Sequence, residues 1–456
     1  MSAGARFSIV HTPQGRRLHI EADTLPEGFS GQQEGNAFLC DLTHANAIAL
    51  RAALPWTAPV TVGLRKSAGC GDRLGVATPG HIRAIAKTDV FPVFAQQSIR
   101  EMQRAGRSAE AVLDDATWGV LEANYQTGFG SDADHLKNTE VIDQTIAAGF
   151  TGFTLDPSEY VDNAAHSDDA ATLQHKYANL PWEALETSPD ALQRMYEGAS
   201  PAGEFTAAMI HRAACKYSQA LAHVAHLAQH IADRMNGRAY DLEVSVDETD
   251  TPTSPAEHYF IANELRRLGV NYQGLAPRFI GSFEKGVDYI GDLSAFTDDF
   301  AVHARIAREL GPYKLSIHSG SDKFSIYGII AQYANPYVHL KTAGTSWVEA
   351  LRVIAMHDPA LMREMVDFAV ERYPTDRASY HVSGEIENVR VPEDDAALPA
   401  LLDHFDTRQI MHVTFGSLMG HFRAPLYTVL EANLEDYYRV LEGHFDRHLS
   451  PFAERS

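Results

Sequence analysis

The chain has 456 residues, 45% of them apolar and 21% charged, the make-up of a folded globular protein large enough for one domain with appendages or for two. With 38 basic against 60 acidic residues its formal charge is −22, which argues against a nucleic-acid partner. Cys40, Cys70 and Cys215 are too few and too scattered for a disulfide framework or a CxxC metal site, and they fit a reducing compartment.

The opening "MSAGARFSIVHTPQGRRLHI" lacks the apolar run of a signal peptide, and no later stretch of roughly 18 apolar residues follows. The expectation is a cytoplasmic, soluble protein with no membrane partner. "FSIVHT" and "RRLHIEA" alternate in polarity around "TPQG" and predict a hairpin. A helical stretch, "THANAIALRAAL", completes a leader subdomain over residues 1–57.

From Val60 a rhythm of strand-like segments sets in: "VTVGLRKSAG", "VFPVFAQQ", "WGVLEANYQ", "FTGFTLDP", "AYDLEVSVDE", "VNYQGLAPRF", "YKLSIHSG" and "YVHLKTAG". Helical stretches such as "NTEVIDQTIAAG" and "AEHYFIANELRRLG" separate several of them and stop at glycine. Eight strands alternating with helices predict an α/β protein, a (β/α)8 barrel of the TIM type over residues 58–345. A doubly wound open sheet is the rival; it would favour GxGxxG after the first strand, and "AGCGDRLG" does not supply it. The interval between the fourth and fifth segments is too long for one crossover, so residues 160–236 are predicted as a helical insertion. Residues 346–456 read as a mainly helical C-terminal extension packed on the barrel.

In such a barrel the C-terminal strand ends converge on one face. "GFGSDADHLKN" would bring Asp132, Asp134, His135 and Lys137 there, and the fourth segment ends at Asp156. In "LEVSVDET" the two-residue strand period sets Glu243, Ser245 and Asp247 on one face and Leu242, Val244 and Val246 on the other. Later segments supply Glu284 and Lys285, then His318, then His339 and Lys341. Carboxylates and imidazoles meeting at one mouth suit a divalent cation: Zn²⁺, Mn²⁺, Co²⁺ or Ni²⁺. Glu243, facing the interior, needs a lysine, a metal or a proton to be tolerable.

Each group has a structural reading beside the functional one. A histidine at a strand end is commonly a hydrogen-bonded core residue, and Asp132 and Asp134 could be turn residues. Ser254 with Glu257 three residues on reads as a capping box. His223, His226 and His230 have a metal-like spacing on the insertion helix, but alanine and leucine surround them and a partly exposed face is expected. The glycine-rich "GCGDRLGVATPGH" lacks the lysine and hydroxyl of a P-loop, yet Arg73 within it could clamp a carboxylate.

In "AGCGDRLGVATPGH", "DADHLKN", "EVSVDETDTPTSP", "FEKGVDYIGD", "KLSIHSGSDKFSIY" and "HLKTAGTSW" the chain resembles the tagaturonate epimerase family over most of its length. The resemblance implies a metal-dependent interconversion of tagaturonate and fructuronate. It implies His135, Glu284 and His318 as metal ligands, with His339 in reserve. It also implies Asp134 as proton acceptor and Glu243 as proton donor, with Asp247 as a reserve acid or base, or a substrate contact. The substrate carboxylate needs a cation, and Arg73, Lys137, Lys323 and Lys341 are the candidates. The expected partner is therefore a small sugar acid, and a homo-oligomer is left open.

These two sugars differ at a hydroxyl-bearing carbon β to the ketone. Its C–H proton is not acidic, so enolisation cannot invert it, whereas retro-aldol cleavage, rotation of the aldehyde and re-addition can. A metal-dependent sugar isomerase or aldolase would use the same groups. A non-catalytic carbohydrate-binding protein would instead favour aromatic platforms at the mouth.

Overall fold

The computed structural model describes residues 4–13, 15–200, 203–342 and 344–453. Residues 1–3 and Gln14 of the leader, residues 201–202 of the insertion, Ala343 of "HLKTAGTSW" and residues 454–456 of the extension lie outside the described residues. The leader's hairpin, β1 (Arg6–Thr12) and β2 (Gly15–Glu21), is extended by β3 (Gln32–Glu34) and β4 (Ala37–Cys40) into an antiparallel sheet of order β1-β2-β4-β3. Leu18, Ile20, Phe38 and Cys40 on its inner face close over the helix His44–Ala53, whose first turn is capped by Thr43. Trp118 and Leu121 complete this small core from the barrel side.

The barrel strands are β5 (Ser67–Gly69), β6 (Phe91–Ser98), β7 (Gly130–Leu136) and β8 (Gly152–Leu155). After the insertion, with its hairpin β9 (Gly198–Ser200) and β10 (Gly203–Phe205), come β11 (Asp241–Val246), β12 (Gly274–Pro277), β13 (Lys314–Ile317) and β14 (Val338–Lys341). β5–β8 and β11–β14 pair in parallel, and β14 pairs with β5, closing the eight-stranded ring. Seven strands fall within the predicted segments to within one residue. The third does not: "WGVLEANYQ" overlaps the helix Ala109–Glu122, capped by Ser108, and the strand is "GSDADHL".

The reason lies in β7 itself. Its inward face carries Asp132 and Asp134, which alternation rules score as loop, while Trp118 and Val120 of the preceding helix look like strand formers. β7 also carries a bulge. Ala133 pairs with Phe153 and Leu136 with Leu155, so one extra residue is accommodated beside β8, and His135 sits at φ 57°. Neighbours on a regular strand point to opposite faces; the bulge lets Asp134 and His135 serve the same cavity.

The long insertion helix Ala207–Met235 lies against the barrel, and its histidine stripe does the fastening. His223 Nε2 is 2.9 Å from the Lys137 carbonyl oxygen and its ring stacks on Tyr160, while His230 Nε2 is 2.9 Å from Asp143. The capping box of Ser254 and Glu257 is present at the start of Pro255–Arg267. Helices Thr345–His357, Pro359–Asp376, Phe405–Val413, Phe415–Ala432 and Leu434–Leu449 make up most of the C-terminal region, and Tyr380, His381 and His412 from it border the barrel mouth. Among the described residues no helix is long and apolar enough to cross a membrane.

Candidate active site

A lysine organises the inside of the barrel mouth. Lys341 Nζ, from β14, lies 2.8 Å from Asp132 Oδ2, 2.6 Å from Asp134 Oδ1 and 3.0 Å from Glu243 Oε1, and donates to Thr154 Oγ1 at 2.8 Å. Three carboxylates from β7 and β11 thus share one ammonium group, which answers the question Glu243 raised in the sequence. Burial opposes ionisation of Glu243, but Lys341 and His318 outweigh it and hold the carboxyl well below its ordinary range. Gly274 on β12 leaves the room: a Cβ there would stand 2.8 Å from Glu243 Oε2.

Above this layer sit two histidines. His318 Nε2 is 2.7 Å from Glu243 Oε1, and its Nδ1 is 3.3 Å from Asp247 Oδ1. His135 Nδ1 is 3.0 Å from Asp156 Oδ2, and the two imidazoles meet edge to face at 5.2 Å between centroids. Burial would strip the proton from each ring. For His135 the carboxylates Asp134, Asp156 and Asp247 reverse this and raise the pKa to about 10; for His318, Asp247 and Glu243 raise it to about 9. The pocket is therefore over-supplied with negative charge, and the histidines respond by holding protons.

That surplus is what an added dication would neutralise, displacing the protons. Donor atoms of Asp134, His135 and His318 lie within 4.8 Å of one another. Two imidazoles beside carboxylates suit the divalent cations expected from the sequence. These residues fit a metal.

The remaining sequence candidates fall elsewhere. Glu284 is buried but already accepts hydrogen bonds from Ser383 N and Oγ at 2.8 Å and from Gln409 Nε2 at 2.9 Å. His339 lies deeper in the barrel, its Nδ1 2.9 Å from Ser67 Oγ, and burial pushes its pKa down to about 3. Lys137 turns away from the cavity toward Ser158, Asp156 and Glu159. Lys323 is fully buried, donating to the carbonyls of Glu284 and Ser321 at 2.8 and 3.1 Å.

Arg73 does border the cavity, which has a volume of about 470 Å³. It pairs with Glu101, and Phe415 lies 3.8 Å beneath its guanidinium carbon. His412, on the C-terminal helix Phe405–Val413, borders the same space and was overlooked in sequence, because one histidine in "QIMHVTFGSL" carries no signal.

The sequence profile of the tagaturonate epimerase family matches residues 7–452. The chain belongs to the tagaturonate epimerase family. It is 42% identical to the tagaturonate/fructuronate epimerase of Thermotoga maritima, over 97% of this chain and 93% of that one. The native crystal structure of fructuronate-tagaturonate epimerase from Cohnella laeviribosi superposes with a TM-score of 0.94 at 36% identity, covering 99% of this chain and 94% of the other. A glycerol complex of the same Cohnella laeviribosi protein gives a TM-score of 0.93. In this member of the family the barrel mouth brings Lys341, His135 and His318 together with Asp134 and Glu243.

Proposed function

We propose that this epimerase interconverts D-tagaturonate and D-fructuronate with a divalent cation at the barrel mouth, by retro-aldol cleavage and re-addition. The observation that carries the reading is the convergence of Asp134, His135, Glu243, His318 and Lys341 at one barrel mouth in a chain of this family. His135 and His318 would hold the cation. When bound, it supplies Lewis-acid stabilisation to the negative charge that develops on the ketone side of the substrate.

The protein's own groups handle the protons. Asp134 accepts the proton of the hydroxyl on the inverting carbon as the adjacent carbon–carbon bond breaks, its electron pair passing to an enediolate fragment. The other product is a three-carbon aldehyde that carries the carboxylate. After the aldehyde turns its opposite face, the bond re-forms and Glu243 protonates the new hydroxyl oxygen from its own side. Asp134 stands on β7 and Glu243 on β11, with β8 between them, so the two address the substrate from different directions. Lys341 touches both, keeps both ionised at rest, and is placed to pass the proton from Asp134 to Glu243 within the turnover, before the bond re-forms.

The test is turnover of tagaturonate by purified protein with and without chelator, beside metal analysis of the same sample. A metal-loaded enzyme that loses activity on chelation and regains it on adding Zn²⁺, Mn²⁺, Co²⁺ or Ni²⁺ is expected. Full activity in a metal-free sample would defeat the reading.

A further inference from the structure

One end of the cavity is not explained by the proton and metal chemistry. There Arg73, 2% exposed, leaves Nε and Nη1 without a hydrogen-bond partner, although Nη2 is engaged by Glu101. His412, also 2% exposed, has both ring nitrogens unpartnered. Burial, with Arg73 and Lys285 nearby, keeps its pKa well below the ordinary value, so the ring is neutral and its N–H is a donor in search of an acceptor. Orphaned buried donors are costly unless something occupies the space they face.

Lys285 borders the same cavity and, among the described residues, makes no ion pair. Its loop is held down unusually firmly. The carbonyl of Glu284 accepts from Lys323 Nζ at 2.8 Å, that of Gly286 from Arg408 Nε at 2.8 Å, and that of Val287 from Lys323 Nζ at 2.5 Å. Three anchored carbonyls flank a lysine whose own ammonium is left free for the cavity. Gly344 keeps the space open: a Cβ there would collide with His412 Nε2 and lie 2.8 Å from Arg73 Nη2. Gly344 is also the N-cap of Thr345–His357, so the positive end of that helix borders the same space.

We infer that Arg73, Lys285, His412 and the N-terminal end of Thr345–His357 form a carboxylate subsite, which binds the acid group of an open-chain sugar acid. Arg73 and Lys285 outnumber Glu101 by one charge at this end, so the subsite favours an anion. The inference rests on the proposed sugar-acid chemistry and deepens it. In a retro-aldol step the carboxylate stays on the aldehyde fragment. A site gripping that group holds the fragment while its carbonyl turns, and prevents its escape before re-addition.

The test separates the subsite from the reaction. Calorimetric titration with gluconate, a six-carbon polyol carboxylate, and with sorbitol, its neutral counterpart, needs no turnover. Wild-type protein is expected to bind gluconate saturably and sorbitol far more weakly. Lys285→Met and His412→Phe should each weaken gluconate binding roughly tenfold or more, leaving the weak sorbitol response as it was. Gly344→Ala, which removes no charge, should do the same by filling the space. Equal gluconate affinity in wild type and Lys285→Met, or no discrimination between gluconate and sorbitol by wild type, overturns the subsite. Absence of tagaturonate turnover alongside carboxylate-selective binding would instead defeat the proposed reaction and leave the subsite standing.

Discussion

His318 Nε2 lies 2.7 Å from Glu243 Oε1, so the imidazole that would hold the cation also grips the carboxylate that would return the proton. Glu243 is thereby held between His318 and Lys341, the latter at 3.0 Å, and both keep its carboxyl below the ordinary range.

Glu243→Gln tests that assignment directly. The amide fits the space beside Gly274 but neither gives nor takes a proton. Turnover of tagaturonate should fall by about 100- to 10,000-fold with metal content unchanged. Loss of metal in the same sample would recast Glu243 as a ligand.

The metal assignment predicts a contrast between the histidines of the barrel mouth and the one beneath them. His135→Ala and His318→Ala should each purify without stoichiometric metal, since each removes one nitrogen from the cluster that includes Asp134. His339→Gln should keep its metal, because that ring faces Ser67 in the lower layer. Metal analysis of the three proteins is the measurement, and loss from His339→Gln alone would reverse the assignment.

Much of this site was legible in the sequence because strand periodicity is a strict rule. Glu243 in β11 and Asp247 just past its end both reach His318, as continued alternation predicts. Asp134 and His135 escape that rule. They are adjacent residues serving one cavity, which only the bulge at φ 57° permits, and a local pattern does not encode a bulge paired against a strand some twenty residues away. Lys341 was read as a substrate contact, whereas its three carboxylate partners come from strands separated from it by about 100 to 200 positions. The carboxylate end of the cavity was hidden for a similar reason. His412 arrives on a helix of the C-terminal region, and nothing in its neighbours along the chain marks it out.

A buried neutral histidine should contribute to the loss of stability in acid. His81 is fully buried, its Nε2 2.7 Å from Ser346 Oγ, and burial pushes its pKa from 6.5 down to about 4. Below pH 6.5 the unfolded chain takes up a proton there that the folded chain refuses, so stability falls as pH drops from 6.5 toward 4. At pH 5 the cost is about 2 kcal/mol relative to pH 8. In urea titrations His81→Gln should therefore lose about 2 kcal/mol less than wild type between those two pH values. Identical losses in both proteins would exclude His81 as a source of the acid sensitivity.

The inversion mechanism makes a prediction about a bond that stays intact. The hydrogen on the inverting carbon is β to the ketone, and a carbanion there would have no carbonyl to delocalise into. In the proposed route Asp134 takes the hydroxyl proton, and the carbon–carbon bond supplies the electrons. The hydrogen rides on its carbon as that carbon becomes an aldehyde, turns over and is attacked again. Tagaturonate deuterated at that carbon should give fructuronate with the label fully retained by mass spectrometry, and reaction in D₂O should introduce none there. Retention alone would also follow from oxidation and internal return of hydride. The second measurement is capture: a hydrazine in the assay should trap a three-carbon aldehyde acid, and Lys285→Met, with its weaker grip on the carboxylate, should release more of it per turnover. Washout of the label would sink cleavage as the route to inversion, whatever the trap collected.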